Sequence, residues 1–360
     1  MIALSLYKNK NFKLINKKLS KKVLSTQCRI EILYSGICAS DIPRAFNGMA
    51  YKYPLVMGHE FIGRVIDAGT KVSKFEKGDL VSAFPLIPCV VKNFNKACEY
   101  CNDNKFNLCE NYDYYGSRRD GSFCEVLDVN EWNLFKVKNK NKNIEINSLI
   151  EPTAVAFNIF ENLFSKISDK SEILVLGAGY IGQIVIRILR NYKKNARINV
   201  IDRNNFKLAV SKNYSSSQIL FLKNKNYNMD ICKKLNSKFD IVIETTGNDL
   251  NFLNALDFVK KDGTVVYSGN INKDLLINKH QVSNILRKQI TIKGVWNSTF
   301  KTKRNNWIKA EKFISDTPKL ERLITHIVEL PRAPSLMKNI YLMKKGKLKN
   351  NYLKGLIKNF

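Results

Sequence analysis

The sequence predicts an α/β protein made of a mostly β unit joined to a doubly wound parallel sheet. Three observations predict it. Short apolar runs separated by turns fill the first 150 residues, and from about residue 171 strand-like runs alternate with helical spacing. A glycine-rich turn, Gly177-Ala178-Gly179-Tyr180-Ile181-Gly182, stands directly after the apolar run Ile173-Leu174-Val175-Leu176.

In the first unit, Ile30-Glu31-Ile32-Leu33-Tyr34 partly alternates, as a half-buried strand does. Phe61-Ile62-Gly63-Arg64-Val65-Ile66 and Leu80-Val81-Ser82-Ala83-Phe84 are further strands, the latter introduced by a Gly78-Asp79 turn. In the second unit, Ile184, Val185, Ile188 and Leu189 recur at helical spacing after the glycine turn. Ile198-Asn199-Val200-Ile201 ends in Asp202, Phe239-Asp240-Ile241-Val242-Ile243 ends in Glu244, and Thr264-Val265-Val266-Tyr267 ends in Ser268-Gly269. Ile290–Trp296 is expected to be the last strand of this sheet, with the residues from 297 onward returning to the first unit.

Composition narrows the function. A chain of 360 residues with 44% hydrophobic and 25% charged residues is that of an ordinary globular enzyme. No stretch reaches the roughly 18 apolar residues of a membrane span, and the apolar start, Met1–Tyr7, has no basic residues before it, so a cytoplasmic protein is expected. Eight cysteines are too few for a disulfide scaffold of this length. The net charge of +29 is spread along the chain among Asn, Ile, Tyr and Phe, the residues an AT-rich genome encodes. With no groove-reading element present, neither nucleic acid nor membrane is an expected partner.

Two sets of metal-ligand residues stand out. Cys38, in Gly36-Ile37-Cys38-Ala39-Ser40-Asp41, joins His59 and Glu60 of Gly58-His59-Glu60 as a thiolate, imidazole and carboxylate set suited to zinc with a position open for substrate. Glu151, in Glu151-Pro152, is a candidate fourth ligand, exchanging with Glu60 or water. Ser40 is placed to carry the proton of an alcohol toward solvent, and Asp41 to orient His59 through its second nitrogen. Cys89, Cys98, Cys101 and Cys109 form the other set, a closed structural zinc site of four thiolates. The eight-residue gap between Cys89 and Cys98 makes Cys89 its weakest ligand.

The glycine turn has the strand-before, helix-after context of a dinucleotide-binding loop. Gly177 allows the tight turn, Gly179 the approach of pyrophosphate to the backbone, and Gly182 close packing of helix on strand. Tyr180 and Ile181 complete the loop. Asp202, twenty residues after Gly182, is placed to hold the adenosine ribose, which favours NAD over NADP. Arg203 beside it pulls the other way, since a guanidinium accepts a 2′-phosphate.

With these residues in place, the chain resembles the medium-chain, zinc-containing alcohol and polyol dehydrogenases over essentially its whole length. The resemblance rests on Ser40-Asp41-Ile42-Pro43-Arg44, Tyr53–Phe61, Gly116-Ser117-Arg118-Arg119-Asp120-Gly121, Glu151-Pro152, Gly294–Ser298 and Tyr352–Ile357. It implies a GroES-like catalytic domain at 1–155 and 297–360, with a zinc lobe at 85–112, interrupted by a Rossmann NAD-binding domain at 156–296. It further implies a homo-oligomer, dimer or tetramer, with one catalytic and one structural zinc. The implied reaction is NAD-dependent oxidation of a sugar-alcohol phosphate, galactitol 1-phosphate to L-tagatose 6-phosphate, with an unphosphorylated polyol or threonine as the alternative. Arg44, Arg118 and Arg119 are the expected phosphate contacts, because guanidinium pairs bidentately with phosphate. The chain departs from the family pattern at Ala39, where glycine is usual, and in the spacing after Cys89.

Overall fold

A computed structural model describes residues 1–92, 97–138, 143–220, 229–271 and 273–358. The chain divides into two compact units, Met1–Ala154 with Ser298–Phe360, and Val155–Asn297.

The first unit is built on a seven-stranded sheet. Its path runs Leu134–Lys136, Leu80–Ala83, Glu60–Ala68, Gln27–Gly36, Lys354–Lys358 and Ile324–Glu329, with Val126–Asn130 also paired to Gln27–Gly36. The centre of that sheet decides where the chemistry lies. Gln27–Gly36 is antiparallel to Glu60–Ala68 on one side and to Lys354–Lys358 on the other, so Gly36 faces both Glu60 and Leu356. Cys38 follows immediately, and continuing the second register sets Lys354 beside it. Three chain segments remote in sequence therefore end at one edge of the sheet. Beneath them Ile30, Ile32, Phe61, Val65, Val81 and Ile357 are nearly or fully buried in one core cluster, the inward residues of alternating strands.

The second unit carries six parallel strands in the order Ser217–Leu220, Arg197–Asp202, Glu172–Leu176, Phe239–Glu244, Val259–Tyr267 and Thr291–Gly294. This is a doubly wound order, whose reversal beside the first strand creates a crevice for a dinucleotide. Ile173, Leu174, Val175 and Leu176 are all buried, as expected of a strand covered on both faces. The helix Tyr180–Tyr192 then buries Ile184, Val185, Ile188 and Leu189. The last strand is shorter than the sequence predicts. The Ile290 N–H bonds the Ile285 carbonyl and Gln289 adopts a left-handed conformation, so both residues close the helix Lys279–Lys288 instead of entering the sheet.

Candidate metal centres and coenzyme loop

Cys38, His59 and Glu60 come together at the sheet edge, each with a ligand atom within 4.8 Å of the other two. His59 and Glu60 are almost fully buried. Burial, with the Glu60 and Asp41 carboxylates nearby, pushes the Cys38 thiol up to about 11, while Lys354 and the Ser40 hydroxyl pull it down. His59 Nδ1 is buried without a hydrogen-bond partner. Leaving a buried polar atom unpaired is costly, and a cation among a thiol, an imidazole and a carboxylate fits that donor set.

Asp41 does not take the role the sequence assigns it. Its Oδ1 lies 3.8 Å from His59 Nδ1, too far for a hydrogen bond. Its Oδ2 instead accepts the Cys38 backbone N–H at 2.9 Å, and Oδ1 accepts from Arg44 Nη1 at 3.3 Å. The fully buried Asp41 opens the short helix Asp41–Phe46 and so fixes the turn that carries Cys38. Ser40 donates to Cys38 Sγ at 3.2 Å and accepts from Arg44 Nη1 at 2.9 Å. Glu151 sits in the first turn of the helix Ile150–Glu161, outside the three-residue ligand set. Burial, and then the negative charges of Glu60 and Cys38, raise its carboxyl to about 8 against the pull of His59.

Cys89, Cys98, Cys101 and Cys109 also converge, their sulfurs all within 4.8 Å of one another, so Cys89 reaches the cluster despite the long gap. Residues 93–96 of that gap lie outside the described residues. The Cys89 N–H points at Cys109 Sγ, 3.2 Å away, and the Cys98 N–H at Cys89 Sγ, 3.4 Å away. Burial works against a Cys98 thiolate, but backbone N–H groups of Glu110 and Cys101 bring the thiol down to about 7. Burial raises the Cys101 and Cys109 thiols.

In the second unit the glycine turn forms as a cradle. Gly177 has φ +100°, and a Cβ on Gly182 would stand 1.9 Å from the Gly177 carbonyl oxygen, so both positions demand glycine. At Gly179 a Cβ would meet nothing within 4 Å. Gly179 also caps the helix Tyr180–Tyr192 without a side-chain cap hydrogen bond, so open space lies before a helix N-terminus, which fits a pyrophosphate. Tyr180 is buried and Ile181 half-buried at the helix start. Asp202 accepts from the Ala178 N–H at 2.7 Å and the Asn204 N–H at 2.9 Å, tying the next strand end to the loop. Arg203 is exposed nearby, and the pKa of Lys207, which feels both charges, is lowered by burial.

Comparison with known proteins finds two family patterns along the chain. The pattern described as "Alcohol dehydrogenase GroES-like domain" matches residues 25–139, and that described as "Zinc-binding dehydrogenase" matches residues 181–316. The chain belongs to the zinc-containing medium-chain alcohol and polyol dehydrogenase family. Galactitol 1-phosphate 5-dehydrogenase of Escherichia coli K12 is 28% identical over 304 residues, 83% of this chain and 85% of the relative. L-threonine 3-dehydrogenase of Pseudoalteromonas translucida is 28% identical over 311 residues, 82% of this chain and 84% of the relative. The crystal structure of Escherichia coli galactitol-1-phosphate dehydrogenase superposes with a TM-score of 0.84 at 25% identity, covering 99% of each chain. The GroES-like and Rossmann folds are thus those of this dehydrogenase family, and the protein is an oxidoreductase of that family.

Two residues of this dehydrogenase escape sequence reading. Lys354 is buried, with Nζ on Glu60 Oε2 and 3.3 Å from the Ile37 carbonyl. Burial opposes its charge, yet Glu60 and Cys38 raise its pKa. Gly36 makes room for the pair, since a Cβ there would meet Glu60 Oε2 at 2.3 Å. The other is Tyr114, whose ring meets His59 edge-on at 5.7 Å between centroids. The phosphate candidates divide: Arg44 lies beside Ser40, while Arg118 and Arg119 line a separate cavity together with Lys17 and Lys52.

Proposed function

We propose that this protein oxidises a sugar-alcohol phosphate, galactitol 1-phosphate to L-tagatose 6-phosphate, with zinc at Cys38, His59 and Glu60 and NAD on the glycine loop. The observation that carries this reading is the Arg44 guanidinium, bound through Nη1 to the Ser40 hydroxyl that itself donates to Cys38. Zinc would lower the pKa of the alcohol and NAD would take its hydride. Ser40, hydrogen-bonded to both Cys38 and Arg44, receives the alcohol proton and passes it outward. Lys354 keeps Glu60 ionised and positioned. Arg44, with Nη1 on Ser40 and Asp41, would meet the phosphate of the substrate with its remaining donors. The half-buried Asp202 carboxylate supports NAD, since it would repel a 2′-phosphate. The four-cysteine lobe would hold a structural zinc.

The family relatives include threonine dehydrogenases, which makes an unphosphorylated secondary alcohol the second reading. NADH formation with galactitol 1-phosphate, galactitol and threonine side by side separates the two. Turnover of the phosphate ester, abolished by EDTA, is expected; equal rates on galactitol would sink the phosphate assignment. Arg44→Gln should raise KM for the phosphate ester by about tenfold or more, the loss of a charge-assisted pair.

The protein would work in the reducing cytoplasm, in keeping with eight cysteines that are all free. It would act as a homo-oligomer through the strand Thr291–Gly294. That strand is the exposed edge of its sheet, and Leu276, Val282, Leu286 and Trp296 are exposed on the same unit. An open apolar edge of this kind invites pairing with a second copy.

A further inference from the structure

A cavity of about 550 Å³ opens in the first unit between the segment Lys17–Ser20, Lys52 and the loop Asp113–Gly121. Its walls include none of Cys38, Ser40, Arg44, His59, Glu60 or Glu151. The charges around it do not balance. Lys17 pairs with Asp120, and Arg119 donates from Nε to Asp113 at 2.7 Å. Asp128 is taken by Arg29, outside the cavity, at 2.8 Å and 3.0 Å. Each carboxylate in the wall is therefore spoken for. Lys18, Lys52 and Arg118 have no carboxylate partner among the described residues.

Arg118 is also held in place. Its guanidinium lies 4.4 Å from the Tyr112 ring centre and 5.1 Å from that of Tyr51, and Nη2 is 3.3 Å from the Tyr112 hydroxyl. Stacking of this kind orders a guanidinium without neutralising it, leaving its remaining donors for an anion. Leu19, Val56 and Val126 supply apolar wall, which strengthens charge pairing by excluding water. The volume lies within the range of small-molecule sites. The loop itself is firmly seated, with the Gly121 N–H on the Val56 carbonyl at 2.8 Å and the Ser122 N–H on the Gly58 carbonyl at 2.9 Å.

We propose that this cavity binds a small anion bearing two linked phosphates, at a site separate from that of the alcohol substrate. These three side-chain cations, with the Met1 ammonium that the Lys17 carbonyl holds at 3.1 Å, exceed the charge of a monophosphate and suit the roughly three negative charges of a diphosphate at neutral pH. Lysine ammonium groups meet phosphate as point charges and the ordered guanidinium meets it as a fork.

The test uses ADP as the probe, titrated calorimetrically into the zinc-loaded full chain saturated with NADH, with adenosine as the uncharged control. One ADP per chain should bind, adenosine should not, and the affinity should fall steeply with added salt. The double variant K18Q/K52Q, at two exposed positions outside the catalytic cluster, should weaken ADP by about tenfold or more while kcat and KM for the alcohol stay unchanged. Absence of ADP binding would overturn the proposal. So would binding that ignores K18Q/K52Q, which would place ADP on the glycine loop. A raised KM for the phosphorylated alcohol in K18Q/K52Q would make the cavity the substrate-phosphate pocket and overturn the separation. Because the readout is binding, it stands apart from whether galactitol 1-phosphate is the substrate.

Discussion

The two cysteine-bearing clusters of the first unit are made from similar atoms and prepared for different work. In the four-cysteine lobe, backbone N–H groups point at sulfur from several sides, and Cys98 is already drawn down to about 7. At the sheet edge the only sulfur, Cys38, is half-buried among carboxylates and held up at about 11. The lobe offers four sulfurs and no place for a substrate. The edge offers three unlike ligands, one of them locked by a buried ammonium. A closed set of like ligands makes a staple, and an open set of unlike ligands makes a reaction centre.

Breaking the lobe should have the largest effect. Cys101→Ser removes a nearly buried ligand of a set whose metal, by analogy with structural zinc, contributes on the order of 10 kcal/mol to folding. Loss of one zinc equivalent and a much lower unfolding midpoint are expected by metal analysis and calorimetry. An unchanged midpoint would mean that the lobe is no staple.

Next comes the buried pair at the edge. Lys354→Met leaves the Glu60 carboxylate buried without its partner, which costs about 3–5 kcal/mol. Denaturant titration should show that loss, and Glu60→Gln added to Lys354→Met should recover part of it. A double variant no better than the single one would show that the pair is not the reason Lys354 is buried.

Acidity separates the clusters by a smaller margin. A thiol whose pKa is raised keeps its proton at neutral pH, and metal binding must expel it, so affinity rises with pH and is lost as pH falls. Between pH 6 and 8, zinc affinity at the edge should climb about tenfold per unit for the one Cys38 proton. The lobe should climb more steeply, because Cys101 and Cys109 are both raised. Competitive zinc titrations of Cys101→Ser and Cys38→Ala read each cluster alone, and equal slopes would erase the distinction.

What the sequence disclosed follows from how local each signal is. The strand Ile173–Leu176, the glycine turn and Asp202 fall within thirty residues of one another, so spacing alone conveyed the doubly wound sheet and its loop. The ligand residues are distant, yet Cys, His and Glu are chemically distinctive and stand in recognisable surroundings. Lys354 has neither advantage. It sits 294 residues from Glu60 in a chain with 60 lysines and arginines, and only strand register makes it different from the rest. Asp41 is hard to place for a related reason: sequence puts it near the ligands without revealing that its Oδ2 takes the Cys38 N–H while Oδ1 stops 3.8 Å from His59 Nδ1. Arg118 and Arg119 look alike by type, but the fold separates them: Asp113 pairs with Arg119, while Arg118 stacks on two tyrosine rings without a carboxylate partner among the described residues. Ile290 is strand-like by composition and is drawn off by the helix end before it.

The most direct test of the contrast is zinc content and NADH formation measured together for the native protein and Cys38→Ala, with galactitol 1-phosphate as substrate. The account predicts one zinc fewer per chain, an intact fold and a rate lower by about a thousandfold or more, several kcal/mol of transition-state stabilisation. Turnover that survives in Cys38→Ala would contradict it, because the reaction centre would then lie elsewhere.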